Sequence, residues 1–156
     1  MSADKIGVVL VPVDGSEGAE HAVRHACAVA AAVGAPVRLL FAFPRDAIEM
    51  FGTPAEVPTA EQLKYLSEDA FAALRDETAG KVFGHARRVI ADCGASAEEV
   101  LLAGTPARAI LEHAGQCDHP LIVVGRRGLS RFSELLLGSV SQRLVHEASC
   151  PVTVVR

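Results

Sequence analysis

"IGVVLVP", residues 6–12, is a short apolar run rich in valine. A strand with one wet face alternates apolar and polar residues, whereas an unbroken run suits a strand buried on both faces of a parallel sheet. Working outward, "DGSEGAEHAVRHACAVAAAVG" (14–34) is rich in alanine and ends on Gly34, which predicts a helix with Ser16 near its N-cap. The alternation then repeats. "VRLLFAF" (37–43), "EEVLLA" (98–103), "LIVV" (121–124) and "PVTVV" (151–155) read as further strands. Gly104-Thr105-Pro106 supplies a turn, with Pro106 opening a helix to about Gly115, and another helix is expected over about 139–148. Between the second and third strands, the proline-bearing stretch 44–59 reads as a long loop, and 60–93 as helical with interruptions near Gly80 and Gly84.

Apolar strands alternating with helices predict one α/β domain over residues 1–156. Its five-stranded, mostly parallel sheet would carry helices on both faces, in a Rossmann-like arrangement. In such sheets ligands bind beyond the carboxyl ends of strands, where the winding reverses. Three stretches belong at that edge: Pro12-Val13-Asp14-Gly15, Phe41-Ala42-Phe43, and the segment opening at Gly125.

Bulk composition narrows the function. The chain has 156 residues, half of them hydrophobic, so it can bury a core without metal or disulfide support. A net charge of -4 argues against a general nucleic-acid surface. The first apolar run is too short to span a membrane and lacks a cleavage site, so a soluble cytoplasmic protein is expected. Cys27, Cys93, Cys117 and Cys150 form no close sequence pair and read as buried or half-buried free thiols in a reducing compartment.

The second decisive stretch is "GRRGLSRFSELLLGS" (125–139). Glycines let backbone amides approach a ligand, and Gly138-Ser139 opens a helix whose free N–H groups favour an anion. Ser139 would cap that helix or donate to a phosphate oxygen, while Arg126, Arg127 and Arg131 concentrate positive charge. Spacing alone leaves a solvated turn equally open. Neither standard nucleotide motif is present: Gly80-Lys81-Val82 lacks the Ser/Thr of a Walker loop, and no G-x-G-x-x-G follows the first strand.

Gly125-x2-Gly128-x9-Gly138-Ser139 resembles the ATP-binding signature of the universal stress protein family. "VLVPVDGSEGAEHAV" is similar to that family's first strand and helix, "GTPARAIL" to its third-strand turn, and "LLLGSVSQRLVHEASCPVTVVR" to its usual ending. The resemblance implies a fold of the universal stress protein and adenine nucleotide alpha hydrolase type, with an ATP pocket and a divalent ion such as Mg carried by the nucleotide. Pro12, Val13 and Ala42 would line the adenosine, and Asp14 would lie near the nucleoside or its ion. Gly125, Arg126, Arg127, Gly128, Leu129, Ser130 and Arg131 would wrap the ribose and phosphates. Gly138, Ser139, Val140 and Ser141 would complete the phosphate end. It also implies a homodimer formed through the terminal strand, residues 151–155.

Asp14 also has a local reading, a turn with Gly15 or a helix cap. His21 and His25 stand at i, i+4 without a third ligand and read as a solvated face, so no metal site is expected. Ser130, Ser139 and Ser141 are hydroxyls near the expected phosphates, but no G-x-S-x-G elbow, kinase loop or general base accompanies them, and no catalytic residue is assigned. The reading is an ATP-binding regulatory module. An adaptor with an empty pocket, and a slow ATPase or self-phosphorylating enzyme, are the alternatives.

Overall fold

The computed structural model describes residues 5–53, 58–129 and 137–156. Ser130 and Arg131 lie outside the described residues. The elements run β1 (Val8–Pro12), α1 (Glu17–Val33), β2 (Val37–Phe43), α2 (Ala47–Phe51), α3 (Ala60–Lys64), α4 (Glu68–Asp92), β3 (Ala97–Ala103), α5 (Pro106–Ala114), β4 (Pro120–Gly125), α6 (Ser139–Glu147) and β5 (Val152–Val155). The strands form one sheet in the order β3-β2-β1-β4-β5, with every pairing parallel.

The unbroken apolar runs are explained by two cores, one on each face. Val9 and Val11 of β1 join Leu39 and Val123 beneath α1 and α4, where Ala22, Val23, Phe83 and Ile90 pack. Val8 and Leu10 point the other way and join Leu40 and Ile122 beneath Ile110 of α5 and Leu144 of α6. Each face of β1 is therefore dry, so neither set of alternate positions tolerates a polar residue. Val9, Leu10, Val11, Ile122, Val123 and Leu144 are all fully buried. Each stabilises the fold by about 1.5–3 kcal/mol of apolar burial.

Caps set the helix limits. Ser16 precedes α1 and its Oγ accepts from the Ala19 amide at 3.2 Å, while Gly34 closes the helix in the left-handed region. Two expectations in the middle of the chain change. The stretch 44–59 contains α2, because Asp46 caps it by accepting from the Glu49 amide at 2.8 Å. The helical stretch 60–93 breaks before Ser67, not at its glycines: Ser67 Oγ accepts from the Ala70 amide at 3.1 Å and starts α4 afresh. Helix α4 continues through Gly80 and Gly84 because Ala79, Val82, Phe83 and Ala86 bury its core-facing side. That burial outweighs about 1 kcal/mol of helix propensity lost per glycine.

The chain winds outward from β1 through β2 to β3, then returns to the other side of β1 for β4 and β5. The reversal therefore falls between β1 and β4, and their carboxyl ends open a crevice.

Candidate functional site at the carboxyl ends of β1, β2 and β4

A cleft of about 180 Å³ occupies that crevice. One wall is apolar: Pro12 and Val13 leave the end of β1, and Leu40, Phe41 and Ala42 come from β2. The Val13 amide donates to the Leu40 carbonyl at 2.8 Å, which holds the two strand ends level. Pro106 and Ile110, one turn apart on α5, close this side from above. The opposite wall is the Gly125 segment and the start of α6, contributing Gly125, Arg127, Gly128, Leu129, Gly138, Ser139, Val140 and Ser141. The fold thus brings together residues separated by more than a hundred positions in the sequence. Sequence reasoning missed Ser16, Ala19, Leu40, Pro106, Ile110 and Val124 in the lining. The i, i+4 spacing of Pro106 and Ile110 was the available signal for α5.

The loop glycines act through close approach. Gly125, Gly128 and Gly138 are not among the glycines with positive φ. A methyl group on Gly125 would stand 2.5 Å from the Gly18 carbonyl oxygen in the first turn of α1, and one on Gly18 would overlap the Arg127 carbonyl. These paired glycines let the loop lie flat on α1. A methyl group on Gly128 would overlap the Asp14 carboxylate, whereas one on Gly138 would only make tight contacts of 3.4 Å with Arg126 and Arg127.

Asp14 forms the local turn and also lines the cleft. Its Oδ1 accepts from the Ser16 amide at 2.9 Å, forming the local turn, and its Oδ2 faces Gly128 across the cleft floor. Among the described lining residues Asp14 is the one carboxylate, and there is no histidine.

The loop is fastened at its back. The Arg126 amide donates to the Val155 carbonyl at 2.7 Å, and the Gly138 amide returns to the Arg126 carbonyl at 2.8 Å. Ser141 is buried, and its hydroxyl donates to the Gly125 carbonyl at 2.7 Å. Its proton is therefore already committed to holding the loop. Ser139 differs from the expected cap. Gly138 occupies the N-cap position and Ser139 is the first helical residue, because the extended backbone that precedes a helix falls on Gly138. Its side chain is exposed at the mouth of the cleft. Gly138 has no side chain with which to cap α6, so the N-cap residue supplies no acceptor to the helix's first amides.

Arg126 is half-buried, engaged through its backbone as above, and not part of the lining. Arg127 is the electrostatic feature of the cleft. Its Nε and Nη2 are removed from water and have no hydrogen-bond acceptor. A guanidinium in that condition carries an uncompensated desolvation cost, which an anion relieves. The arrangement can therefore hold a flat apolar group against β2 and α5 and an anionic group between Arg127 and the α6 N-terminus.

The profile of the Universal stress protein family matches residues 5–156. The chain belongs to the universal stress protein family. A Thermus aquaticus member is 38% identical over 152 residues, spanning 95% of this chain and 97% of the relative. Universal stress protein YxiE of Bacillus subtilis is 33% identical over 153 residues, spanning 95% and 97%. Among solved structures, universal stress protein UspA from Lactobacillus plantarum superposes with a TM-score of 0.70 at 25% identity, covering 97% of this chain and 99% of that one. A universal stress protein solved in complex with cAMP superposes with a TM-score of 0.65 at 26% identity, covering 97% and 98%.

Other sequence candidates lie away from the cleft. His21 and His25 are exposed on α1, and His21 faces Glu17 at 3.8 Å. Among the described residues no group of three or more metal-ligating side chains could hold an ion. The four cysteines are free, but Cys93 is exposed rather than buried, because it ends α4 outside the core. No helix of the described residues is long and apolar enough to cross a membrane.

Proposed function

We propose that this universal stress protein binds ATP in the β1–β4 crevice and acts as a nucleotide-dependent stress-response module in the cytoplasm. The observation that carries the reading is Arg127, a half-buried guanidinium whose Nε and Nη2 have no acceptor, in the same cleft as the α6 N-terminus, where Gly138 offers no capping side chain. Both features call for an anion, and the apolar wall of Pro12, Val13, Leu40 and Ala42 suits an adenine ring. The solved relative that carries cAMP supports an adenine nucleotide as the class of ligand.

In this reading Gly125, Gly128, Leu129, Ser130 and Arg131 follow the ribose and phosphates, and Ser139 donates to a terminal oxygen. Arg126 adds charge beside them. Asp14, which lines the cleft with one oxygen toward Gly128, would meet a Mg ion that arrives on the phosphates. A single carboxylate makes a weak metal site by itself, so the ion depends on the nucleotide. Among the described residues the lining holds no histidine, and Ser141 is already hydrogen-bonded, which favours binding over turnover. The adaptor state would be this protein without its nucleotide, and the homodimer through β5 would carry the signal to a partner.

Arg127→Gln tests this directly. Without nucleotide the variant should keep or slightly raise its melting temperature, since a half-buried guanidinium with two unpaired nitrogens has been removed. Its ATP affinity should fall at least about tenfold, or ~1.4 kcal/mol. Unchanged ATP affinity would sink the assignment.

A further inference from the structure

Two of the four cysteines, far apart in the sequence, meet where α1 and α4 pack. Cys27 lies on the buried side of α1, in the core that also holds Val89 and Ile90 of α4. Cys93 is the residue at which α4 ends, held by its amide to the Val89 and Ile90 carbonyls at 3.2 and 3.1 Å, and its side chain is exposed. One turn before Cys27, Arg24 pairs with Asp92 at 3.6 Å, which fixes the register of the two helices beside the thiols. The Cys93 thiol lies close enough to Cys27 to act on its titration. Burial first, then that neighbouring thiol, pushes Cys27 up to about 11, with Arg24 opposing. One thiol of the pair is thus sheltered and protonated at neutral pH, and the other is open to solvent.

We propose that Cys27 and Cys93 form a peroxide-responsive disulfide that straps α1 to the end of α4. The exposed Cys93 attacks the O–O bond of a hydroperoxide and becomes a sulfenic acid, releasing water or an alcohol. Cys27 then displaces the hydroxyl of that sulfenic acid, forming the S–S bond and releasing one water. The two sulfurs together lose two electrons, the peroxide gains them, and both thiol protons leave in the products. The starting state is the reduced pair expected of a reducing compartment, and a thiol reductant reverses the bond. The strap needs no nucleotide and stands whether or not the cleft binds ATP.

The test uses the full-length chain, folded and dilute, treated with hydrogen peroxide, alkylated, digested without reduction and mapped by mass spectrometry. The expected result is a peptide joining Cys27 to Cys93, lost on adding dithiothreitol and absent from Cys93→Ser. Cys27→Ala should instead leave a Cys93 sulfenic acid that dimedone traps. If Cys27→Ala fails to fold, the melting temperature decides. Oxidised wild type should melt several degrees above the reduced form, a gain that Cys93→Ser should lack. Cys93 over-oxidised beside a still-alkylatable Cys27, a bond joining Cys93 to a second chain or to Cys117 or Cys150, or no oxidation at all would each overturn the proposal.

Discussion

Gly128 and Asp14 meet so closely that a methyl group at position 128 would overlap the carboxylate facing it. Gly128→Ala therefore pushes either the loop or Asp14 out of place, and both belong to the cleft floor. ATP affinity should drop about tenfold or more in a titration, a cost of at least ~1.4 kcal/mol. Gly138→Ala meets only 3.4 Å contacts and should lose clearly less, so the order of the two variants is the check. Equal losses would mean that the glycines act through something other than close approach. At this scale the sequence was informative about residue type but not about cause. Gly125-x2-Gly128 was legible as a loop able to come near a ligand. That Gly125 is needed for the first turn of α1, through Gly18, was not legible, because the contact joins residues over a hundred positions apart. The Ser141 hydroxyl's bond to the Gly125 carbonyl, sixteen positions away, was hidden too, because it depends on how the loop folds back onto α6.

Among the elements, α4 shows most plainly where local reading fails. Glycines at 80 and 84 were expected to interrupt the helix, yet it runs unbroken from Glu68 to Asp92 because its buried side is anchored on the sheet. Nothing lies within 4 Å of where a Cβ would stand at either glycine. Gly80→Ala and Gly84→Ala should therefore stabilise the protein by roughly 0.5–1 kcal/mol each, with no new clash. Thermal unfolding should show a rise of about 2–4 °C per kcal/mol for a chain of this size. A fall in either variant would mean that these positions receive a neighbour. The caps that were read correctly, Ser16 and Gly34, are local and carry their own hydrogen-bonding chemistry. The break at Ser67 was also local, but its serine was masked by helix-forming residues on both sides.

For the whole molecule, the alternation of unbroken strands and helices was enough to give a parallel sheet, two cores and a crevice at the reversal. The strand order places β5 at an edge of the sheet. The other edge, β3, is blunted by Glu98 and Glu99, which pair with Arg38 and Arg87. β5 carries no charge and is half-buried along its length. In its ladder the carbonyls of Pro151 and Val155 accept from the amides of Ile122 on β4 and of Arg126 just beyond it. By alternation, the Val152 and Val154 amides point outward, free to pair with a second copy. Val154→Pro removes one outward donor while sparing the inward ladder. Light scattering should give a mass twice the chain for the wild type and a shift toward the single chain for Val154→Pro, with the fold kept by circular dichroism. A monomeric wild type would contradict the dimer.

The proposed nucleotide-dependent function rests on the cleft holding ATP. Isothermal titration of the wild-type chain with Mg-ATP, set beside adenosine, measures that most directly. Saturable binding of one ATP per chain is expected, with adenosine much weaker because it offers nothing to Arg127 or the α6 N-terminus. No saturable binding of ATP, or adenosine binding as tightly as ATP, would contradict it.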